Sequence, residues 1–245
     1  SRGLGDVYKR QNQDYMYCNT EPVGSFQNLL IVADGMGGHR AGDYASRLCV
    51  ETMVQSLEKS AHKTPVSLFE EAVTAANKAV FEESASHVEY EGMGTTVVAC
   101  TLEENTLYIA NIGDSRLYLI RDGIEQITDD HSLVEEMVKQ GNITESEARI
   151  HPQKNIITRA LGINEEVQAD FFEIDVEQGD VIMLCSDGLS NMIEDEDMEY
   201  IVKNSDTLQT AAESLVARAN ENGGNDNITA VSYTHLRAHE TEADL

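Results

Sequence analysis

The sequence predicts an α+β fold with antiparallel sheets, and three observations carry that prediction. Apolar runs of strand length recur along the 245 residues. Turns of hairpin length join several of them, as in "LYLIRDGIEQIT", where Asp122-Gly123 separates two strand-like segments. Helical patterns come in blocks, whereas a parallel βαβ wind would place one after each strand.

Taken in order, Asp14 in "NQDYMY" precedes an early strand, and "NLLIVA" is the next. "AGDYASRLCVETMVQSLEK" reads as one helix. A second starts at Thr64-Pro65, a capping residue followed by proline at the first helical position. Its apolar face runs through Leu68, Phe69, Ala72, Val73, Ala76, Ala79 and Val80. The strands "TTVVACTL", "TLYIANIG" and "SRLYLI" follow, then "DVIMLCS" and "NITAVSY" further on. A helix near "DTLQTAAESLVARANENGG" stops at Gly223-Gly224. Residues 129–160 are polar and helix-prone, with a capping box at Thr144-x-x-Glu147, and read as a flap-like excursion from the sheet. No repeat or linker divides the chain, so one domain over residues 12–233 is expected. Residues 1–11 and 234–245 lack a matching pattern, resemble adaptor read-through at the ends of assembled sequence, and are expected to be non-native tails.

Composition narrows the function classes. Seventeen Lys and Arg against 44 Asp and Glu leave a net charge of −27, which repels polynucleotides and anionic membrane surfaces. Cys18, Cys49, Cys100 and Cys185 are far apart in sequence and mostly in apolar contexts. Neither a disulfide framework nor a zinc site is indicated, which favours a reducing cytoplasm. The aliphatic stretches are too short for a membrane span.

The candidate chemistry lies in aspartates at strand ends. Asp34 ends "LLIVADG", Asp187 ends "VIMLCSDG", Asp114 follows "LYIANIGDS", Asp226 precedes "NITAVSY", and Asp14 stands before the early strand. Each alone is a turn residue in most proteins, and Asp180, which merely opens a strand, is such a case. As a converging set they would repel one another strongly, and a cation removes that penalty. Oxygen ligands without a Cys or His cluster select Mn²⁺ or Mg²⁺ over zinc, and the neighbouring glycines let carbonyls and waters approach the ion. "DGMGGHRAG" lacks the spacing of a nucleotide-phosphate loop.

"NQD", "VADGMGGHRAG", "EGMGTTVV", "ANIGDSRLYL", "TDDHSLVEEMVKQG", "HPQKNIITRALG", "LCSDGLSNMI" and "GGNDNITAV" occur in an order that closely resembles the bacterial type-2C, metal-dependent protein serine/threonine phosphatases. The resemblance spans residues 12 to about 233. It implies a four-layer α-β-β-α sandwich with two central antiparallel sheets and a metal cluster at one end. Carried over by position, Asp34 bridges two ions and the Gly35 carbonyl contacts one. Asp187 and Asp226 complete the first ion's shell, Asp14 reaches the ions through water, and Asp114 ligates a third, weaker ion. The implied reaction is hydrolysis of phosphoserine or phosphothreonine by attack of a water shared between two ions. On that reading Ser186 and Cys185 are strand residues, not nucleophiles.

Two positions depart from the family pattern. Met36 stands where some members have a histidine that could protonate the leaving group; His39 is nearby. Lys9 stands where an arginine should hold the substrate phosphate. Arg116 and Arg159 read as structural. The expected partners are phosphorylated proteins made by bacterial serine/threonine kinases, with no nucleic acid and no membrane, and the expected state is a monomer. Competing readings are a non-catalytic phosphoprotein-binding relative and a small-molecule phosphohydrolase; intact aspartates argue against the first.

Overall fold

The computed structural model describes residues 2–5 (backbone only), 12–224 and 226–234. The chain runs β1 (Arg2–Gly5), β2 (Asp14–Asn19), β3 (Leu29–Met36), α1 (His39–Lys59), α2 (Pro65–Ser86), β4 (Gly94–Thr95), β5 (Val97–Glu103), β6 (Thr106–Ile112), β7 (Arg116–Ile120) and β8 (Ile124–Gln126). It continues through α3 (Leu133–Lys139), α4 (Glu145–Arg149), β9 (Asp170–Asp175), β10 (Val181–Cys185), α5 (Asp187–Ser190), α6 (Asp195–Lys203), α7 (Leu208–Glu221) and β11 (Ile228–Thr234). One antiparallel sheet has the order β2-β3-β5-β6-β9, with β4 paired to β3; the other has the order β1-β11-β10-β7-β8. Residues 2–5, set aside on sequence grounds, lie at the sheet edge with Arg2 opposite Val231 and Gly5 opposite Ile228.

The apolar runs are continuous because the central strands are buried on both faces, and the two-residue period sorts their side chains between layers. In β3, Leu29, Ile31 and Ala33 face α1 and α2, packing with Val50, Met53, Phe69 and Val73. Leu30 and Val32 point the other way, into a core shared by both sheets with Leu117, Leu119, Ile182, Leu184 and Val231. The alternate residues of the second sheet, Tyr118, Ile120, Met183 and Cys185, pack under α6 and α7 against Met198, Leu215 and Ala219. Three cores between four layers give the α-β-β-α sandwich that the resemblance implied.

The expected helices form with their stops and caps. Thr64 is the N-cap of α2 with Pro65 at the first position, and Gly223 and Gly224 take φ of 131° and 51° after α7. On α2 the buried face includes Asn77, unexpected from its polarity. Its amide donates to the carbonyls of Asn164 and Glu165 and accepts from Gly162 N–H. The Thr144–Glu147 capping box is present on α4. The elements not foreseen include β9 ("DFFEID"), an edge strand in which Phe171 and Phe172 stand between acidic residues, and α6, whose acidic first turn masks its apolar face. Among the described residues no helix is long and apolar enough to cross a membrane.

Candidate metal centre

Antiparallel pairing brings the aspartate-bearing ends together at one edge of the sandwich. Asp14 opens β2 directly opposite Asp34 on β3. In the second sheet Cys185 pairs with Ala230, and Ser186 N–H donates to the Thr229 carbonyl, so Asp187 leaves β10 where β11 begins after Asp226. Asp114 follows the end of β6 through Gly113.

Asp14 links the two sheets. It is 5% exposed, and its Oδ2 accepts from Ser186 Oγ at 2.8 Å and Thr229 Oγ1 at 2.7 Å, both from the opposite sheet. Its Oδ1 is buried without a hydrogen-bond partner, as is Asp187 Oδ1. Asp187 Oδ2 accepts from Asn191 Nδ2 at 3.0 Å. Asp34 is fixed through its backbone: its N–H donates to Thr96 Oγ1, and its carbonyl accepts from Thr95 Oγ1 and Thr96 N–H.

Burial and mutual repulsion show in the acidities. Burial pushes the Asp14 carboxyl up to about 6, opposed by its two hydroxyl donors and reinforced by the charges of Asp187 and Asp226. Asp34 is raised well above the carboxylate range by burial, then by Asp14, Asp187, Asp114 and Asp226. Burial and Asp187 raise Asp114 to about 8, and burial and Asp226 raise Asp187. Four other carboxylates, from both sheets, thus bear on Asp34. Asp226 itself stands exposed at the rim, its Oδ1 accepting from Asn227 N–H. Among the described residues no three His, Cys, Asp or Glu side chains are already gathered into a metal-ligating group.

The glycines are close-packed here. A Cβ on Gly35 would lie 1.9 Å from the Gly42 carbonyl oxygen, and one on Gly188 would lie 1.9 Å from that of Asn227. Gln13 staples the same region: Nε2 donates to the Gly35 carbonyl at 3.0 Å, its N–H donates to Asn227 Oδ1, and its carbonyl accepts from Gly35 N–H. Nothing in the sequence pattern singled out Gln13.

The other candidates separate cleanly. Cys185 is buried and its thiol is pushed up to about 12, which leaves no thiolate for nucleophilic attack. Ser186 is buried and committed to Asp14. Arg116 makes a two-pronged ion pair with Asp130 and also donates to the Tyr118 hydroxyl, a structural role. Lys9 and the His39 side chain lie outside the described residues. Beside Asp114 and Asp187 opens a cavity of about 380 Å³, lined also by Arg149 and Lys154 of the flap-like segment.

A largely buried carboxylate cluster with two orphaned oxygens, at one end of an α-β-β-α sandwich, has the all-oxygen chemistry that suits a hard divalent cation. The chain belongs to the protein phosphatase 2C family, whose profile, described as "Protein phosphatase 2C", matches residues 8–230. It is 40% identical over 223 residues to the serine/threonine phosphatase stp of Listeria monocytogenes, covering 87% of this chain and 88% of that one. It is equally identical, over 232 residues, to protein phosphatase PhpP of Streptococcus pneumoniae, covering 92% and 93%. The structure superimposes on serine/threonine phosphatase Stp1 of Staphylococcus aureus with a TM-score of 0.89 at 31% identity, covering 96% and 94%. A solved catalytic domain of PstP in complex with two manganese ions matches with a TM-score of 0.81 at 34% identity, covering 95% and 94%.

Proposed function

We propose that this chain is a metal-dependent protein serine/threonine phosphatase that removes phosphate from phosphoserine and phosphothreonine in substrates of bacterial serine/threonine kinases. The observation that carries the reading is the pair of buried, unpartnered oxygens, Asp14 Oδ1 and Asp187 Oδ1, within a set of mutually repelling carboxylates. Such an arrangement is costly unless a cation or protons neutralise it. The donor set is all oxygen, which suits Mn²⁺ or Mg²⁺.

The residues that would hold two ions are Asp34, Asp187 and Asp226, with the Gly35 carbonyl beside them and Asp14 behind; Asp114 would serve a third ion. Ions held there supply Lewis-acid charge and a water acidic enough to attack phosphorus at neutral pH. The protein's own part is orientation. Ser186 and Thr229 aim Asp14, Asn191 aims Asp187, and Thr95 and Thr96 fix the Asp34 backbone. The cavity beside Asp114 and Asp187 gives the phosphorylated segment a place to lie. Lys9 is proposed as the contact to the substrate phosphate.

The buried free thiols of Cys49, Cys100 and Cys185 support a reducing compartment, and we place the protein in the cytoplasm as a monomer. Phosphate release from a phosphothreonine peptide and from small phosphate esters, with Mn²⁺, with Mg²⁺ and with chelator, tests the reading. Metal-dependent turnover of the peptide is expected. Undiminished turnover in excess chelator would overturn the metal assignment, and a strong preference for the esters would overturn the substrate assignment.

A further inference from the structure

A buried histidine that the proposed chemistry does not use stands in the first stem of the flap-like segment, against the turn before Asp114. His131 is 7% exposed. Its backbone N–H donates to the Gly113 carbonyl at 2.9 Å, and its ring Nδ1 accepts the Gly113 N–H at 2.9 Å. Both polar backbone groups of Gly113 are therefore held by one residue.

The network assigns the tautomer. Because Nδ1 accepts a backbone proton it carries none of its own, so the ring proton lies on Nε2 and is donated to Asp170 Oδ2 at 3.0 Å. Arg159 Nη1 lies 3.0 Å from Nε2, but a protonated nitrogen cannot accept from it. Its hydrogen bonds go to Asp170 Oδ1 at 2.7 Å and the Gln168 carbonyl at 3.1 Å. Burial alone would raise the Asp170 carboxyl, and the bonds from His131 and Arg159 outweigh it and hold it low.

Gly113 is a demanding position. Its φ is +105°, and a Cβ there would come within 2.6 Å of the Thr96 side chain. Thr96 Oγ1 also contacts Ser115 Oγ at 2.8 Å and accepts the Asp34 N–H. On its other side His131 holds both stems of the excursion: Thr158 N–H donates to the His131 carbonyl at 2.8 Å, and Ser132 bridges Ile157.

We propose that His131 is a positioning residue that fixes the Gly113–Asp114 turn and clasps it to the stems of residues 129–160. The aspartate serving the weaker ion is then oriented by the same joint that holds the substrate-facing segment. This inference rests on the metal-dependent reading above.

Two variants separate positioning from general stability. The amide oxygen of His131→Asn can take the place of Nδ1 and accept from Gly113, while the shorter side chain gives up Asp170; His131→Phe offers neither contact. In chelator, Gly113 amide exchange should accelerate on the order of tenfold in His131→Phe, the scale of one lost hydrogen bond, and stay near wild type in His131→Asn. In Mn²⁺ calorimetry, His131→Phe should weaken the low-affinity class about tenfold and leave the tight class unchanged; His131→Asn should retain both. Should His131→Phe not fold, His131→Gln keeps the donor to Asp170 but lacks the acceptor for Gly113, and should give the same pattern. Unchanged Gly113 exchange, or an Asn variant as impaired as the Phe variant, would overturn the proposal. A wild-type chain without Mn²⁺-dependent turnover, but with the exchange pattern intact, would overturn the phosphatase reading and leave the clasp supported.

Discussion

Replacing Asp14 by asparagine should stabilise the metal-free protein, although Asp14 sits among the residues assigned to the site. The folded chain raises this carboxyl from 3.8 to about 6. Between those values the native state keeps a proton that the unfolded chain has released, so stability falls as pH rises through the window and stays low above it. Two units at about 1.4 kcal/mol each give a penalty of about 3 kcal/mol at pH 8. Asparagine removes the charge and keeps an oxygen for Ser186 Oγ and Thr229 Oγ1, which bond Asp14 Oδ2 at 2.8 and 2.7 Å. Its amide nitrogen would take the place of the unpartnered Oδ1 and point a donor into a carboxylate-rich space. At 2–4 °C per kcal/mol for a chain of this size, Tm in chelator at pH 8 should rise by roughly 6–12 °C. At pH 4 the gain should shrink to under about 1 kcal/mol. Mn²⁺ at 1,000 times Kd should reverse the order, since there the wild type gains about 4.1 kcal/mol that the weakened variant forgoes. Thermal melts in chelator at the two pH values, repeated with Mn²⁺, read all three quantities. An asparagine variant less stable than wild type at pH 8 in chelator, or a gain indifferent to pH, would refute the account of a strained, charge-crowded cluster.

Asp34→Asn and Asp187→Asn should each remove several kcal/mol of transition-state stabilisation, measured as kcat/KM on a phosphothreonine peptide with Mn²⁺; a loss below tenfold would count against their assignment. Asp114→Ala should keep tight Mn²⁺ binding by calorimetry while phosphoprotein turnover falls, and loss of all metal binding would place Asp114 in the primary cluster. Arg116→Ala strands Asp130 without its two-pronged partner and should cost about 3–5 kcal/mol in urea melts. Gly35→Ala, whose Cβ would meet the Gly42 carbonyl at 1.9 Å, should cost about 1–3 kcal/mol, whereas Gly123→Ala, with open space around it, should stay within about 0.5. Lys9→Arg should lower KM more than it changes kcat if position 9 contacts the substrate phosphate, because arginine offers a planar two-pronged donor.

The strand interiors were legible because burial on both faces leaves an uninterrupted apolar run, as in β3, where alternate residues feed different cores. The same physics hid β9. At a sheet edge both faces are covered only in part: Phe171 and Phe172 pack against opposite cores yet stay half-buried, and Asp170, Glu173 and Asp175 around them break the run. Helix α2 was visible in its period and its Thr64-Pro65 start, but the apolar period gave no place to the buried Asn77. Its three hydrogen bonds to residues 162–165 lie more than 80 positions away in sequence, beyond the reach of any local pattern. The four-layer arrangement came from the resemblance, since periodicity alone does not say which helix covers which sheet.

The site divides along the same line. Asp34, Asp114, Asp187 and Asp226 stood out because an acidic residue at the end of an apolar strand, with glycine close by, is a local signature; Asp14 had only its place before an early strand. What holds them in place is not local. Asp14 is oriented by hydroxyls from residues 186 and 229, Gly35 by the side chain of Gln13, and the turn before Asp114 by His131. Serine, threonine, glutamine and a lone histidine are common in any chain, and their sequence neighbours give no sign of their partners. The carboxylates repel and so must be held by something. A sequence that shows such a set therefore implies a shell of neutral donors around it, while leaving their identity to the fold.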